Sequence, residues 1–367
     1  MRSLCIDARW IYSGIGTYTF NLVRELSQRG DLELHGITLP QHQAALQPFF
    51  KSLSLVDVAI YSLGEQFAIA RATGDFAVLH VPHYNAPLLR KGTMLITIHD
   101  LTHILDERFR NTLKSRVYAR PMLRLGAKKA AHIFTVSEYS KRQIVEHLDV
   151  PAEKVTVTYN GVGPQFCPEP RDQAMQTVQR ACGVTRPYIL YVGNLKPHKN
   201  VDGLLRAFAQ VSSRNAGEFE LLIVGDDTTD GPALKKLASE LGIAAATKFA
   251  GKVSDEVLRS AYSAAELTVL PSFEEGFGLP VLESMACGTP VACSRAASLP
   301  EVGGSAAAYF DPHDIESMAE SIERLLHLDD MRERLRQSGF ANAKRFTWSA
   351  CADRHMKIYR QFCPEQN

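Results

Sequence analysis

The sequence predicts an α/β protein made of two Rossmann-like, doubly wound domains in series, and three observations carry that prediction. Short apolar runs alternate with segments of helical period, the order that yields parallel sheets covered on both faces. The rhythm begins at residue 3 and begins again at residue 188, after a proline-bearing interruption. The chain has 367 residues, 45% hydrophobic and 22% charged, and single cores stop growing near ~250–300 residues.

The elements follow in order. Strands are expected at SLCID (3–7), ELHGITL (33–39), FAVLHV (76–81), MLITI (94–98), HIFTV (132–136) and VTVTY (155–159). Between them YTFNLVREL places Tyr18, Leu22, Val23 and Leu26 on one helical face, and a second helix runs from Ser137 to Leu148 with Ser137 as N-cap. Around residues 163–186 the run GPQFCPEPRDQAMQ holds three prolines and no apolar period and reads as the linker. The second half gives strands YILYV (188–192), ELLIV (220–224), TKFAG (247–251), LTVL (267–270) and PVAC (290–293), with Val201, Leu204, Leu205, Phe208 and Val211 on one intervening helix. Asp311 before Pro312 has the pattern of an N-cap with proline at the first helical position, ahead of an amphipathic helix carrying Ile315, Met318, Ile322 and Leu325. After FTWS a last helix with Met356, Tyr359 and Phe362 needs an apolar partner, which either domain can supply.

Charge and cysteine usage remove several classes of function. Lys plus Arg number 41 against 40 Asp plus Glu, a formal net charge of +1, so no global field favours nucleic acid. Seven scattered cysteines without CxxC spacing point to reduced thiols, a cytoplasmic setting and no zinc site. No run reaches the ~18–20 apolar residues that span a bilayer, and MRSLCIDARW runs directly into a strand-like segment.

In doubly wound sheets ligands bind beyond the carboxyl ends of the strands, where loops lead into helix N-termini. Three loops fit. YSGIGTYT offers Gly14 and Gly16 as a phosphate loop or an ordinary turn. Thr19 replaces the third glycine of a dinucleotide fingerprint, and Leu39, Pro40 and Gln41 supply no ribose acid, which counts against NAD. VGNLKPHKN presents Lys196, His198 and Lys199 before a helix, where they either neutralise a diphosphate or stay solvated. In SFEEGFGLPVLESMACG, Pro280 suits an early helical position and Gly288 a helix end, with Glu275 in the loop and Glu283 on the helix. Two carboxylates flanking an apolar, glycine-punctuated stretch suit a ligand with two diols joined by an anionic spacer, a nucleotide sugar. The plainer alternative is a loop acid plus a carboxylate interacting with the helix dipole.

PSFEEGFGLPVLESMACGTPVACS resembles the signature of retaining glycosyltransferase family 4, with its pair of glutamates separated by seven residues. SGIGTYTFNLVREL, TIHDLTH, TVSEYSKRQI, NGV, YVGNLKPHKN, GKVSDEVLRSAY and FTWSACADRHMKIY match in order along essentially the whole chain. The resemblance implies a GT-B fold, with residues 1–165 as an acceptor domain, 170–347 as a donor domain and a final helix, 348–367, returning to the first. It implies that Glu275 bonds the transferred hexose and Glu283 the ribose, and that amides of Gly276, Phe277, Gly278 and Leu279 surround sugar and phosphate. Lys199 matches the diphosphate lysine, the Gly14–Gly16 loop closes over the phosphates, His99 lies beside the reacting sugar, and Lys252 and Val253 border the base. Asn194 stands where many members carry arginine, removing one fixed cation. Front-face transfer with retention, needing no metal or other cofactor, completes the implied chemistry.

Other residues are read more plainly. His99 also suits a hydrogen-bonded core histidine; His80 and His83, in HVPHYNAP, end a strand as acceptor candidates. Asp226 and Asp227 read as caps for the next segment rather than as metal ligands. Residues 108–129 hold eight Lys/Arg and no acid, with Arg116, Arg120, Arg124 and Lys128 at helical spacing, either a solvated face or a contact with an anionic membrane or lipid-linked acceptor. YVGNLKPHKN with HVPHYNAP favours GDP-mannose over UDP sugars and a role in envelope polysaccharide or glycolipid assembly. Same-fold epimerases or phosphorylases, a Rossmann oxidoreductase and a non-catalytic sugar-binding module are the competing readings.

Overall fold

A computed structural model describes residues 2–11, 13–105, 119–226 and 230–365 of the chain. It forms two compact units, residues 1–161 with 347–367, and residues 162–346.

The first unit holds a seven-stranded parallel sheet: β1 (Arg2–Asp7), β2 (Leu32–Thr38), β3 (Ser52–Leu55), β4 (Val78–Val81), β5 (Thr93–Thr97), β6 (His132–Thr135) and β7 (Val155–Val157), in spatial order β3-β2-β1-β4-β5-β6-β7. The register pairs Cys5 with Leu79 and Ile96 with Ile133. Strands buried on both faces need apolar residues throughout rather than alternation, and VLHV and HIFT are buried at every position. Helix α1 (Ser13–Ser27) lays Tyr18, Leu22, Val23 and Leu26, all fully buried, on the unit's core. Helices α2 (Leu63–Ala72), α3 (Arg120–Lys129) and α4 (Glu138–Leu148) complete the covering layers. Ser137 caps α4, its Oγ accepting from Ser140 N–H at 3.0 Å.

The second unit holds six parallel strands, β8 (Tyr188–Val192), β9 (Glu220–Val224), β10 (Thr247–Gly251), β11 (Leu267–Leu270), β12 (Val291–Ser294) and β13 (Ala307–Phe310), ordered β10-β9-β8-β11-β12-β13. Half of the expected linker proves to be helix: α5 (Arg171–Cys182) buries Ala174 and Val178, an i,i+4 pair with Met175 and Cys182 beside it, against α8 (Asp255–Ala264). This apolar stripe is too narrow to stand out among polar neighbours. On the opposite sheet face, α6 (Val201–Arg214) contributes Leu204, Leu205, Phe208 and Val211. Helices α7 (Gly231–Glu240), α9 (Leu279–Ala286), α10 (Ile315–His327) and α11 (Asp329–Ala343) complete the unit. Asp311 is not the cap of α10. Asp314 is, accepting from Ser317 N–H at 3.1 Å, because Pro312 sits in a turn closed by Asp311 C=O and Asp314 N–H.

The last helix, α12 (Trp348–Phe362), belongs to the first unit and packs on α1. Gly161 makes this possible, since a β-carbon there would lie 2.1 Å from Trp348 N. Among the described residues no helix is long and apolar enough to cross a membrane.

Candidate active site

The strand order of the second unit reverses between β8 and β11, the place where a doubly wound sheet opens a crevice at its carboxyl edge. Two loops leave the sheet there, 193–200 after β8 and 271–278 after β11. They are fastened together: Phe273 N–H donates to His198 C=O at 2.9 Å, and Asn200 Nδ2 donates to Pro271 C=O at 3.1 Å and Pro312 C=O at 2.9 Å. Asn200 takes the left-handed conformation, φ 57°, which asparagine tolerates. The clamp brings Lys199 against Glu275, with Lys199 Nζ donating to Glu275 Oε2 although 76 residues separate them. Their side chains are 15% and 14% exposed, so the pair is sheltered yet reachable. Ser298 Oγ holds the loop from behind, donating to Glu275 C=O at 2.8 Å.

Gly278 starts the next helix at φ +95°, and a β-carbon there would meet Leu299 Cδ2 at 2.6 Å. Only glycine fits both demands. Phe277 is buried, edge-on to Phe346 with centroids 5.9 Å apart, so its side chain anchors the loop while its amide stays in the motif. Within α9, Glu283 accepts from Tyr262 Oη at 2.8 Å. Burial pushes the Glu283 carboxyl up to about 7 despite that hydrogen bond, with Asp255 adding to the rise. Burial also drives the Tyr262 phenol well above its ordinary value, which keeps it a donor.

At the other side of β8, β8 and β9 run directly into Gly193 and Gly225, and β10 ends on Gly251. Gly193 N–H donates to Val224 C=O and Gly225 N–H to Gly251 C=O, at 3.0 and 2.9 Å, and a β-carbon on Gly225 would meet Gly193 O at 1.8 Å. The sheet edge there is bare backbone, followed by Lys252 and Val253.

In the first unit His99 follows β5. Its Nε2 lies 3.1 Å from Pro82 C=O, which can only accept, so the neutral ring carries its proton on Nε2. Burial lowers its pKa, and the ring stands edge-on to Tyr18 at 4.8 Å.

Comparison with known proteins gives the family. Residues 12–166 match the model of Glycosyltransferase Family 4 and residues 176–341 that of Glycosyl transferases group 1. The O-antigen chain mannosyltransferase B of Escherichia coli is 30% identical over 369 residues, covering 95% of this chain and 96% of the relative. The chain belongs to glycosyltransferase family 4. A D-inositol 3-phosphate glycosyltransferase of Thermobispora bispora is 35% identical over 237 residues, 62% of this chain and 54% of the relative. The fold is GT-B: sucrose-phosphate synthase from Thermosynechococcus elongatus superposes with TM-score 0.81 at 20% identity (98% of this chain, 99% of that one). Anabaena HepE in complex with UDP and glucose gives 0.82 at 16% (98% and 100%).

The remaining expected residues of this glycosyltransferase fall as follows. Gly14 and Gly16 are not in a loop. The helix starts at Ser13, and Gly16 is required because a β-carbon would lie 2.1 Å from the Ile11 carbonyl carbon. His80 is not an acceptor residue. It is fully buried, with Nδ1 2.7 Å from Tyr359 Oη and Nε2 2.9 Å from Thr97 Oγ1, and burial lowers its pKa well below the usual value. His83 lines a pocket described below. Asn194 is exposed, and its Oδ1 accepts from Lys196 N–H at 3.3 Å. Lys252 pairs with Asp226 at 2.8 Å, so Asp226 serves an ion pair. Asp227 lies outside the described residues, as do residues 108–118 of the basic segment. Of that segment's described part, Lys129 Nζ is drawn to Arg90 C=O at 2.7 Å, and Lys128 to Asp149 at 3.7 Å. Among the described residues no group of three His, Cys, Asp or Glu is placed to hold a metal. Sequence reasoning missed Tyr262, whose role depends on the packing of α8 on α9, and the terminal glycines of β8 to β10, which YVG, IVG and FAG did display.

Proposed function

We propose that this enzyme moves a mannosyl unit from a nucleoside diphosphate mannose, GDP-linked in preference to UDP-linked, onto a saccharide hydroxyl in surface polysaccharide assembly, with retention. The observation that carries the reading is the Lys199–Glu275 pair at the switch point of the second sheet. Cleaving the sugar–phosphate bond builds positive charge on the ring and negative charge on the leaving diphosphate. An ammonium beside the phosphates and a carboxylate on the hexose hydroxyls stabilise that separation, because both are in place before the reaction. Glu283 takes the ribose diol, Lys252 and Val253 border the base, and amides of Gly276, Phe277, Gly278 and Leu279 face sugar and phosphate. His99, neutral with Nδ1 as acceptor, is assigned to the transferred sugar. The mannose assignment is supported by the E. coli relative's name.

Thermal shift against a panel of nucleotide sugars tests the donor. A ligand at 100 times its Kd stabilises by about 2.7 kcal/mol, and GDP-mannose is expected to give the largest shift. With Lys199 and backbone amides carrying the charge, release of GDP is expected to survive excess EDTA. Anomeric configuration is then read by NMR on the product. No shift and no turnover with any nucleotide sugar contradicts the assignment.

A further inference from the structure

The first sheet reverses order between β1 and β4, and a second pocket opens at that switch point, wholly within the first unit. Asp7 ends β1 and Val81 ends β4. Between them Arg9 is bound on two sides: Nε and Nη2 donate to Asp7 at 2.9 and 2.8 Å, and Nη2 donates to Glu65 Oε1 at 2.6 Å. Glu65, fully buried at the start of α2, also accepts from Asn85 Nδ2 at 2.6 Å and from Tyr61 N–H at 2.7 Å. Tyr61 is held at φ +68°, an uncommon conformation for a bulky residue, and such positions gather at ligand sites.

Two features go beyond a structural ion cluster. Arg9 is 4% exposed, and its Nη1 has no hydrogen-bond partner among the described residues. A buried donor left unsatisfied costs about 1–3 kcal/mol, so an acceptor oxygen is wanted there. The cavity this guanidinium lines measures about 20 Å³, room for one water or one hydroxyl. An aromatic wall borders it: Trp10 stacks on His83 with centroids 5.2 Å apart and planes 10° apart, and Tyr61 stands edge-on to Trp10 at 6.0 Å.

We propose that this pocket is the acceptor subsite and that it takes a terminal, uncharged hexose, one hydroxyl entering between Arg9, Glu65 and Asn85 while the pyranose ring lies on Trp10. The assignment rests on the glycosyltransferase reading and adds to it the acceptor's chemical class. Charge decides the class. One guanidinium faces two buried carboxylates, a net charge of −1, which repels a phosphate or a sugar acid. A hydroxyl suits the groups present, donating its one proton to a carboxylate and accepting from Arg9 Nη1.

The test uses the full-length protein, calorimetry and tryptophan emission, with neutral trisaccharides of mannose, glucose and galactose as probes and inorganic phosphate as the anionic one. At least one trisaccharide is expected to bind and shift the emission, with phosphate giving no heat and no competition. Trp10→Ala is expected to raise the saccharide Kd at least tenfold, and Trp10→Tyr to recover part of the loss. Arg9→Lys, which keeps the charge and removes Nη1, is expected to raise Kd in any variant that circular dichroism shows folded. Equal affinity in Trp10→Ala, competition by phosphate, or no neutral trisaccharide bound at millimolar concentration overturns the proposal. Nucleotide-sugar thermal shifts on the same samples separate the two readings. Trp10-dependent saccharide binding without any nucleotide shift supports the pocket and sinks the transfer reading. Nucleotide binding with no Trp10 dependence does the reverse.

Discussion

Glu275 and Lys199 answer each other's charge in the free protein, and on the proposed assignment a donor inserts its hexose and diphosphate around that pair. Replacing Glu275 by Gln keeps its shape and removes its charge, and is expected to lower kcat/KM by about 10²-fold, the scale set by deleting one preorganised electrostatic group. Lys199→Ala should act similarly, and the double variant should lose less than the two effects combined, because groups in contact are not additive. Steady-state kinetics on the four proteins checks this, and full additivity would argue that the two residues act apart. Glu283 gives a pH signature. Its carboxyl titrates at about 7 in the free protein because of burial. A raised folded pKa contributes stability that is fully present below the unfolded value near 4.5 and is lost as pH rises to about 7. On the proposed assignment a ribose diol donates to the ionised form, so nucleotide binding expels the proton. Affinity is therefore expected to weaken as pH falls below about 7, by up to tenfold per unit, and to lose that dependence in Glu283→Gln. Calorimetry between pH 6 and 8 reads both, and an unchanged slope in the variant would detach Glu283 from the nucleotide.

Elements set how sharply such residues are placed. Helix α9 begins where it does because Gly278 turns the chain through φ +95° while lying against Leu299. Gly278→Ala costs about 1–2 kcal/mol for the left-handed backbone alone, before Leu299 moves. At about 2–4 °C per kcal/mol for a unit of this size, Tm should fall by several degrees and nucleotide affinity should fall with it. A variant with wild-type Tm would show that the loop does not need this glycine. Element placement also shows what the sequence could and could not reveal. YILYV, ELLIV, TKFAG and LTVL were legible to the residue as β8 to β11, being apolar runs closed by glycine or proline. β3 was missed because SLSL is an exposed edge, and β13 because AAYF is alanine-rich, with packing rather than propensity making it a strand. The glutamate pair was visible as a pattern. Lys199 was visible as a candidate diphosphate cation, but its pairing with Glu275 was not, since nothing local signals that Asn200 will clamp a loop from another strand. His80 was misread for the same reason, its partner Tyr359 lying 279 residues downstream.

The two units differ in what acid does to them. The first contains His80, His99, His132 and His355, all with lowered pKa values dominated by burial, His132 at about 4 and His355 at about 3. The network joins α12 to the sheet: His80 meets Tyr359, and Tyr18 Oη meets His355 Nε2 at 2.7 Å and Thr97 Oγ1 at 3.0 Å. A histidine held neutral in the fold gains its proton on unfolding near pH 6.5. Each one then costs roughly 1.4 kcal/mol of stability per pH unit from there down to its folded value. Glu283 in the second unit works in the opposite sense over part of the same range, because its protonated form is the one burial favours. The first unit should therefore open first on acidification. Both tryptophans of the chain, Trp10 and Trp348, lie in that unit, so emission excited at the indole band reports it alone while far-UV circular dichroism reports both. The tryptophan transition is expected at higher pH than the loss of the remaining ellipticity, and His355→Gln, which cannot titrate, should move it to lower pH wherever the variant folds. A single transition seen identically by both probes would mean that the units unfold as one and that the buried histidines do not set the acid limit.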